Sequence, residues 1–150
     1  MLPRNVLPII VLGTLAACSA KAPVEPSTSE PPAPSASGTP TTADAAQTGQ
    51  RIYSGSCVPC HQQNGAGIPG VYPSLAGSPV VAGDPGELAL WVIKGQRPAS
   101  MPQGRYATQM LQFGWMKPAD AAALFTYLRS NFGNSAPAVD AATVAKALGQ

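Results

Sequence analysis

The sequence predicts an all-α fold for a single folded domain at residues 44–134 of the 150-residue chain. Apolar residues recur there at helical spacings of three and four, and no stretch alternates in the way that a strand requires. The segment also holds few large apolar side chains, so its core needs a bound group to fill it. We therefore expect three to four helices packed around such a group.

The first two helices have recognisable starts. A helix is predicted at residues 45–54, with Asp44 or Thr42 as its cap. The second helix begins after Asp84, which is followed by Pro and, three residues later, by Glu, a pattern typical of a capped N-terminus. Gly95 can end this helix in the left-handed conformation.

The C-terminal third of the chain carries two further helix signals. One helix begins at Pro118, has an apolar stripe, and is predicted to end at Gly133. In the remaining segment, a C-terminal tail at residues 135–150, a short helix is predicted at 140–148. There Val139 and Val144 stand where a hydrophobic staple places its two apolar residues.

The N-terminal residues predict an export signal followed by an extended linker. Residues 1–17 contain a short apolar run, too brief to span a bilayer, that ends in small residues before Cys18. This arrangement resembles the lipobox of bacterial lipoproteins, which implies acyl chains on Cys18 and a position on the periplasmic side of a bacterial membrane. The linker at 18–43 is rich in Pro, Ser and Thr and is expected to stay extended.

Composition excludes several function classes. Nine Lys and Arg against seven Asp and Glu leave no electrostatic footprint of a nucleic-acid binder. The single His excludes ligation of an iron by two histidines and any mechanism that needs two imidazoles. Three Cys cannot all pair with one another, so a disulfide scaffold is not expected.

The motif that carries chemistry is Cys57-Val-Pro-Cys60-His61, a C-x-x-C-H run and the attachment signature of c-type haem. Two thiols at this spacing can add to the two vinyl groups of one porphyrin, and the adjacent imidazole then lies under the iron. A zinc site needs four ligands, and only Cys18 is left to complete the set. A thioredoxin-like pair belongs in a strand–helix unit, and a disulfide across two residues would leave His61 unexplained.

The chain resembles class I, single-haem bacterial cytochromes c over residues 44–134. The residues that carry the resemblance are Tyr53 to Gly67 around the C-x-x-C-H run, the loop 71–77 and the helix end 127–129. The resemblance implies the cytochrome c fold, one covalently attached haem c with iron, and packing of Tyr72 and Pro73 against it. The segments 113–115 and 132–134 are also similar to those of cytochrome subunits of membrane-bound bacterial dehydrogenases.

The sixth iron ligand is assigned to Met110, opposite His61. With no second His, a thioether sulfur is the expected partner of the imidazole. In the family, the Met lies shortly before an aromatic-Gly-Trp turn, and Met110 fits that register although Leu111 stands where Pro is expected. Met101, which precedes a Pro as the family's Met usually does, is the runner-up, and Met116 is the third candidate.

These features predict a one-electron carrier and not an enzyme, with redox proteins as donor and acceptor and a membrane surface reached through the lipid anchor. Two alternatives remain: a cytochrome subunit of a membrane-bound dehydrogenase or oxidase, and a haem sensor or peroxidase-like protein with an open iron position. Aromatic residues, including Trp91 and Trp115, are expected in the core and against the haem. Four scattered cations could rim a docking face for an acidic partner but are expected to be solvated surface: Lys94, Arg97, Arg105 and Lys117.

Overall fold

A computed structural model of the protein describes residues 42–101 and 104–150. The predicted signal 1–17, Cys18 and the linker as far as residue 41 lie outside the described residues. Within those ranges the chain is helical and contains no strand, which confirms the all-α prediction, and a single antiparallel bridge pairs Ile68 with Tyr72. No helix in the described ranges is long and apolar enough to cross a membrane.

The N-terminal helix is longer than its sequence signals indicate. Helix α1 (Thr42–Ile52) begins inside the predicted linker and continues through a π-helical turn (Tyr53–Cys57) into α2 (Val58–His61). The sequence predicted a helix that ends near residue 54. Instead, Gly55 lies inside the π-helical turn and Pro59 lies in the first turn of α2, so neither residue ends the run.

The middle of the chain holds one helix that the sequence predicted and one that it did not. Helix α3 (Pro79–Ala82) was not predicted; the Ser78 side chain accepts a hydrogen bond from the Val81 N–H and caps it. This helix is a single turn, too short to show an apolar period.

The helix predicted after Asp84 is confirmed. It consists of α4 (Pro85–Ala89) and a π-helical turn (Leu90–Lys94). Asp84 Oδ1 accepts a hydrogen bond of 2.8 Å from the Glu87 N–H, as the capping pattern requires. Gly95, with φ of 71°, ends the run in the left-handed conformation.

Helix α5 (Pro118–Ser130) starts where it was predicted to start and ends three residues before Gly133. Helix α6 (Ala141–Leu148) is capped by Asp140, whose side chain accepts a hydrogen bond from the Thr143 N–H. It packs against α4 and α5, and both residues of the predicted staple are buried in the core. The segment 135–150 is therefore packed against the rest of the domain.

Helices α1 and α5 cross at Gly49, which is buried between them. A Cβ atom at this position would overlap the Ala123 carbonyl oxygen and lie 2.8 Å from the Cβ of Tyr127. Only a glycine lets the two backbones approach this closely. The crossing fixes the start of the helical run that ends at His61 against α5.

Candidate functional site

The C-x-x-C-H residues lie at the end of the N-terminal helical run. Cys57 closes the π-helical turn, and Cys60 and His61 belong to α2. Helical residues three apart share a face, so both thiols point to the same side of the run. Cys57, Cys60 and His61 all line one cavity, and neither thiol is in a disulfide.

The imidazole of His61 is held in one orientation. It is 7% exposed, and its Nδ1 lies 3.0 Å from the carbonyl oxygen of Pro73. A carbonyl only accepts, so Nδ1 carries the hydrogen and Nε2 is left free as a ligand atom. Burial lowers the pKa of His61, which keeps the imidazole in the neutral form that binds metals.

Close packing of the following loop places Pro73 under the imidazole. Gly67, with φ of 67°, donates its N–H to the His61 carbonyl oxygen at 3.0 Å. A Cβ atom at Gly67 would lie 2.7 Å from the carbonyl carbon of Pro73, so a side chain there would push the loop away. The loop therefore depends on glycine to bring the Pro73 carbonyl to the ring.

Two adjoining cavities, of about 310 and 320 Å³, open beside the C-x-x-C-H residues. The side chains that line both are largely apolar or aromatic, and they include Cys57, His61, Pro73, Trp91 and Met110. Tyr72 lines the first cavity, while Leu124 and Leu128 of α5 line the second. The sequence predicted a core with room for a bound group. The two cavities provide that room, and they lie against both thiols and the imidazole.

The three candidate methionines occupy different places. Met110 and Met101 both line the two cavities, and Met110 in addition packs against the hydrophobic core. Met116 is 4% exposed, is buried in the core and lines neither cavity. The geometry thus brings Met110 and Met101 to the site, and it keeps Met116 away.

The loop that follows Met110 departs from expectation at Trp115. This residue was expected in the core or against the haem, but it is 65% exposed and touches Phe113 edge to face. The reason lies in the backbone, because the Phe113 N–H donates to Val92 and the Met116 N–H donates to Phe113, which turns residue 115 outward. Leu111, where the family has Pro, is also exposed.

Two of the four cations considered in the sequence lie at the mouth of the cavities. Arg97 and Arg105, expected as ordinary surface residues, are exposed but also line both cavities. The Arg97 guanidinium lies 5.2 Å from the centre of the Trp91 ring. Arg97 and Arg105 both lie in loops, so their spacing in the sequence gives no periodic signal that would place them at a cavity.

The residues present fit a covalently bound haem. Two free thiols and a neutral imidazole face an apolar space, with thioether side chains available on its wall and cations at its mouth. Within the described ranges, no group of three or more His, Cys, Asp or Glu could by itself hold a metal ion. Burial raises the pKa of Cys57 to about 11, which opposes a thioredoxin-like role because that role needs a reactive thiolate.

Comparisons with known proteins agree with this geometry. The model of the cytochrome c family matches residues 46–132. Cytochrome c-552 of Thermus thermophilus is 34% identical over 92 residues, which cover 58% of this chain and 70% of that protein.

Two longer proteins are similar over the same region. The gluconate 2-dehydrogenase cytochrome c subunit of Pantoea cypripedii is 31% identical over 98 residues, covering 63% of this chain and 22% of that subunit. The cytochrome c subunit of the quinone alcohol dehydrogenase of Gluconobacter oxydans is 32% identical over 91 residues, 59% of this chain and 19% of that subunit. The chain thus belongs to the cytochrome c family, whose members carry a covalently attached haem c.

Proposed function

We propose that the protein is a one-electron carrier in which Cys57 and Cys60 hold the haem through thioethers and His61 and Met110 ligate its iron. When bound, haem c supplies a ferric/ferrous couple. The observation that carries the proposal is the orientation of His61, with Nδ1 donating to Pro73 and Nε2 left for a metal, beside two free thiols on one cavity wall.

Met110 is the better of the two methionines at the site for two reasons. It packs against the hydrophobic core, and the turn that follows it is joined to Val92 by a backbone hydrogen bond of 3.0 Å. A ligand on such an anchored segment is held in place before the iron is bound. Met101 shares the cavities but is not among the residues packed on the core.

Replacing each methionine by Ala tests the assignment. We expect Met110→Ala to lose the sulfur-to-iron charge-transfer band of the ferric protein, and Met101→Ala and the control Met116→Ala to keep it. If Met101→Ala loses the band and Met110→Ala keeps it, the ligand is Met101 and the assignment is wrong.

We also propose that the protein is a carrier and not a catalyst. The sequence contains one His, which the iron would occupy, so no second imidazole is available for acid–base work beside an open iron position. A reduced spectrum that carbon monoxide does not change is the expected result. Rapid formation of a carbon monoxide adduct by the unmodified protein would favour the sensor or peroxidase-like alternative.

We further propose that Cys18 is lipidated and that the carrier serves redox proteins at the periplasmic side of a bacterial membrane. The lipobox-like residues before Cys18 support this, and so does the similarity to cytochrome subunits of dehydrogenases. Crosslinking in native membranes, followed by identification of the attached protein, separates the two forms of the proposal. A stable complex with a dehydrogenase or oxidase indicates a subunit, whereas transient links to several redox proteins indicate a free carrier.

A further inference from the structure

The residue directly after His61 has an unusual backbone. Gln62 adopts φ of 63° and ψ of 163°, a region that glycine visits and residues with a Cβ avoid. It ends α2, and its N–H donates to the Val58 carbonyl at 2.9 Å. Because this backbone conformation costs free energy for a residue with a side chain, the surrounding contacts must hold Gln62 there.

The strongest of these contacts comes from Tyr53. Its hydroxyl donates to the Gln62 carbonyl oxygen at 2.5 Å, whereas the other donor to that oxygen, the Gly65 N–H, lies at 3.2 Å. Tyr53 is 1% exposed and stands nine residues before Gln62 in the sequence. A buried hydroxyl that donates one short hydrogen bond is fixed in place, and here it holds the Gln62 carbonyl.

The Tyr53 ring is itself fixed from the C-terminal side of the domain. Its centre lies 5.6 Å from that of Tyr127 and 4.9 Å from that of Phe132. Among the described residues, the non-glycine residues with positive φ are Gln62 and Phe132. Both touch the Tyr53 side chain, one through the hydroxyl and the other through the ring.

We infer that Tyr53 is a positioning residue whose hydroxyl holds the Gln62 peptide in its left-handed geometry and so keeps the His61 imidazole directed at the Pro73 carbonyl. The inference rests on the proposed role of His61 as an iron ligand. When the hydroxyl is lost, Gln62 relaxes and the hydrogen bond from Nδ1 to Pro73 weakens. That hydrogen bond makes the imidazole a stronger electron donor to the iron, which favours the oxidised state. Weakening the hydrogen bond therefore favours the reduced iron.

The test uses the full haem-loaded protein and the variants Tyr53→Phe, Gln62→Gly and the two combined. Tyr53→Phe should shift the redox equilibrium constant against a reference couple toward the reduced form by roughly threefold to tenfold, the effect of about one hydrogen bond. It should also move the proton resonances of the His61 ring. In the Gln62→Gly background, Tyr53→Phe should shift this equilibrium constant by about twofold or less. Glycine adopts the conformation at position 62 without support from the hydroxyl.

Tyr127→Phe is the matched control. It removes a hydroxyl from the same aromatic cluster, but among the described residues the Gln62 carbonyl accepts from Tyr53 and Gly65 and not from this hydroxyl, so the potential should stay unchanged. If Tyr53→Phe lowers stability but leaves the potential and the His61 resonances in place, Tyr53 is a packing residue only and the inference fails. Equal shifts in both backgrounds also overturn it.

Two results separate this inference from the proposed function. Paramagnetic shifts of the His61 ring in the unmodified ferric protein test its role as a ligand, whatever Tyr53 does. If Tyr53→Phe alone yields no haem protein, the combined variant decides: recovery with Gly at position 62 supports the inference, and failure to recover contradicts it.

Discussion

The crossing of α1 and α5 predicts a large effect of the smallest possible substitution, Gly49→Ala. The added Cβ would overlap the Ala123 carbonyl oxygen and lie 2.8 Å from the Ala123 carbonyl carbon and from the Cβ of Tyr127. The Ala123 atoms belong to the backbone of α5, so no side chain can turn away to make room. The helices must separate, and the core around Tyr53 must separate with them.

Two opposing terms set the magnitude. Overpacking of a well-packed interface costs about 1–3 kcal/mol, and obstruction by backbone atoms places this site at the upper end. Alanine regains about 1 kcal/mol of helix propensity over glycine inside α1. We therefore expect Gly49→Ala to lower the free energy of unfolding by about 2 kcal/mol.

Denaturant unfolding of the haem-loaded protein, followed by far-UV circular dichroism, measures this change. Gly55→Ala is the control, because a Cβ at Gly55 meets nothing within 4 Å, so alanine should leave stability unchanged or slightly raised. If Gly49→Ala is as stable as the unmodified protein, the close crossing is not what stabilises the pair of helices and the reasoning is refuted.

Three other outcomes are expected, two at the site and one at the proposed lipid anchor. Cys60→Ala should sharply lower the yield of covalent haem measured by pyridine haemochrome, and a normal yield would show that the motif was misread. Cys18→Ser should give a haem protein in the soluble fraction, because the proposed acyl anchor is gone; membrane association that persists in high salt would contradict this. Burial raises the pKa of Tyr53 from its ordinary 10.0 to about 12, so the unfolded chain loses this proton first and stability should fall as pH rises from 10 to 12. Tyr53→Phe should remove this alkaline component, and an identical decline in that variant would assign it to another group.

Three helix starts were predictable because their signals are local. Asp84 and Asp140 each accept a hydrogen bond from the N–H three residues later, and Pro118 opens α5, as the sequence indicates. In each case the residues that decide the structure are neighbours in the chain. The same reasoning gave the C-x-x-C-H motif, whose chemistry requires adjacent residues.

Features that depend on distant contacts were not predictable. Trp115 is exposed because a hydrogen bond from the Phe113 N–H ties its loop to Val92, more than twenty positions earlier. Arg97 reaches the cavity mouth from a loop without a period, so nothing in its spacing distinguishes it from a solvated cation. The continuation of α1 to His61 depends on a π-helical turn, for which single sequences carry no recognised signal.

Helix α5 connects the wall of the second cavity to the rest of the fold. The helix is therefore buried on nearly every side. One side meets α1 at Gly49, Leu124 and Leu128 line the second cavity, and α6 packs on a third side. Near its end, the 4% exposed Arg129 donates to the carbonyl oxygens of Val81, Gly83 and Pro137 at 2.7–2.8 Å. A buried cation needs such partners, and here they come from the end of α3 and from the segment leading to α6. The chain beyond residue 134 therefore helps to fix the helix whose leucines line the cavity, although sequence reasoning alone would leave it as a tail.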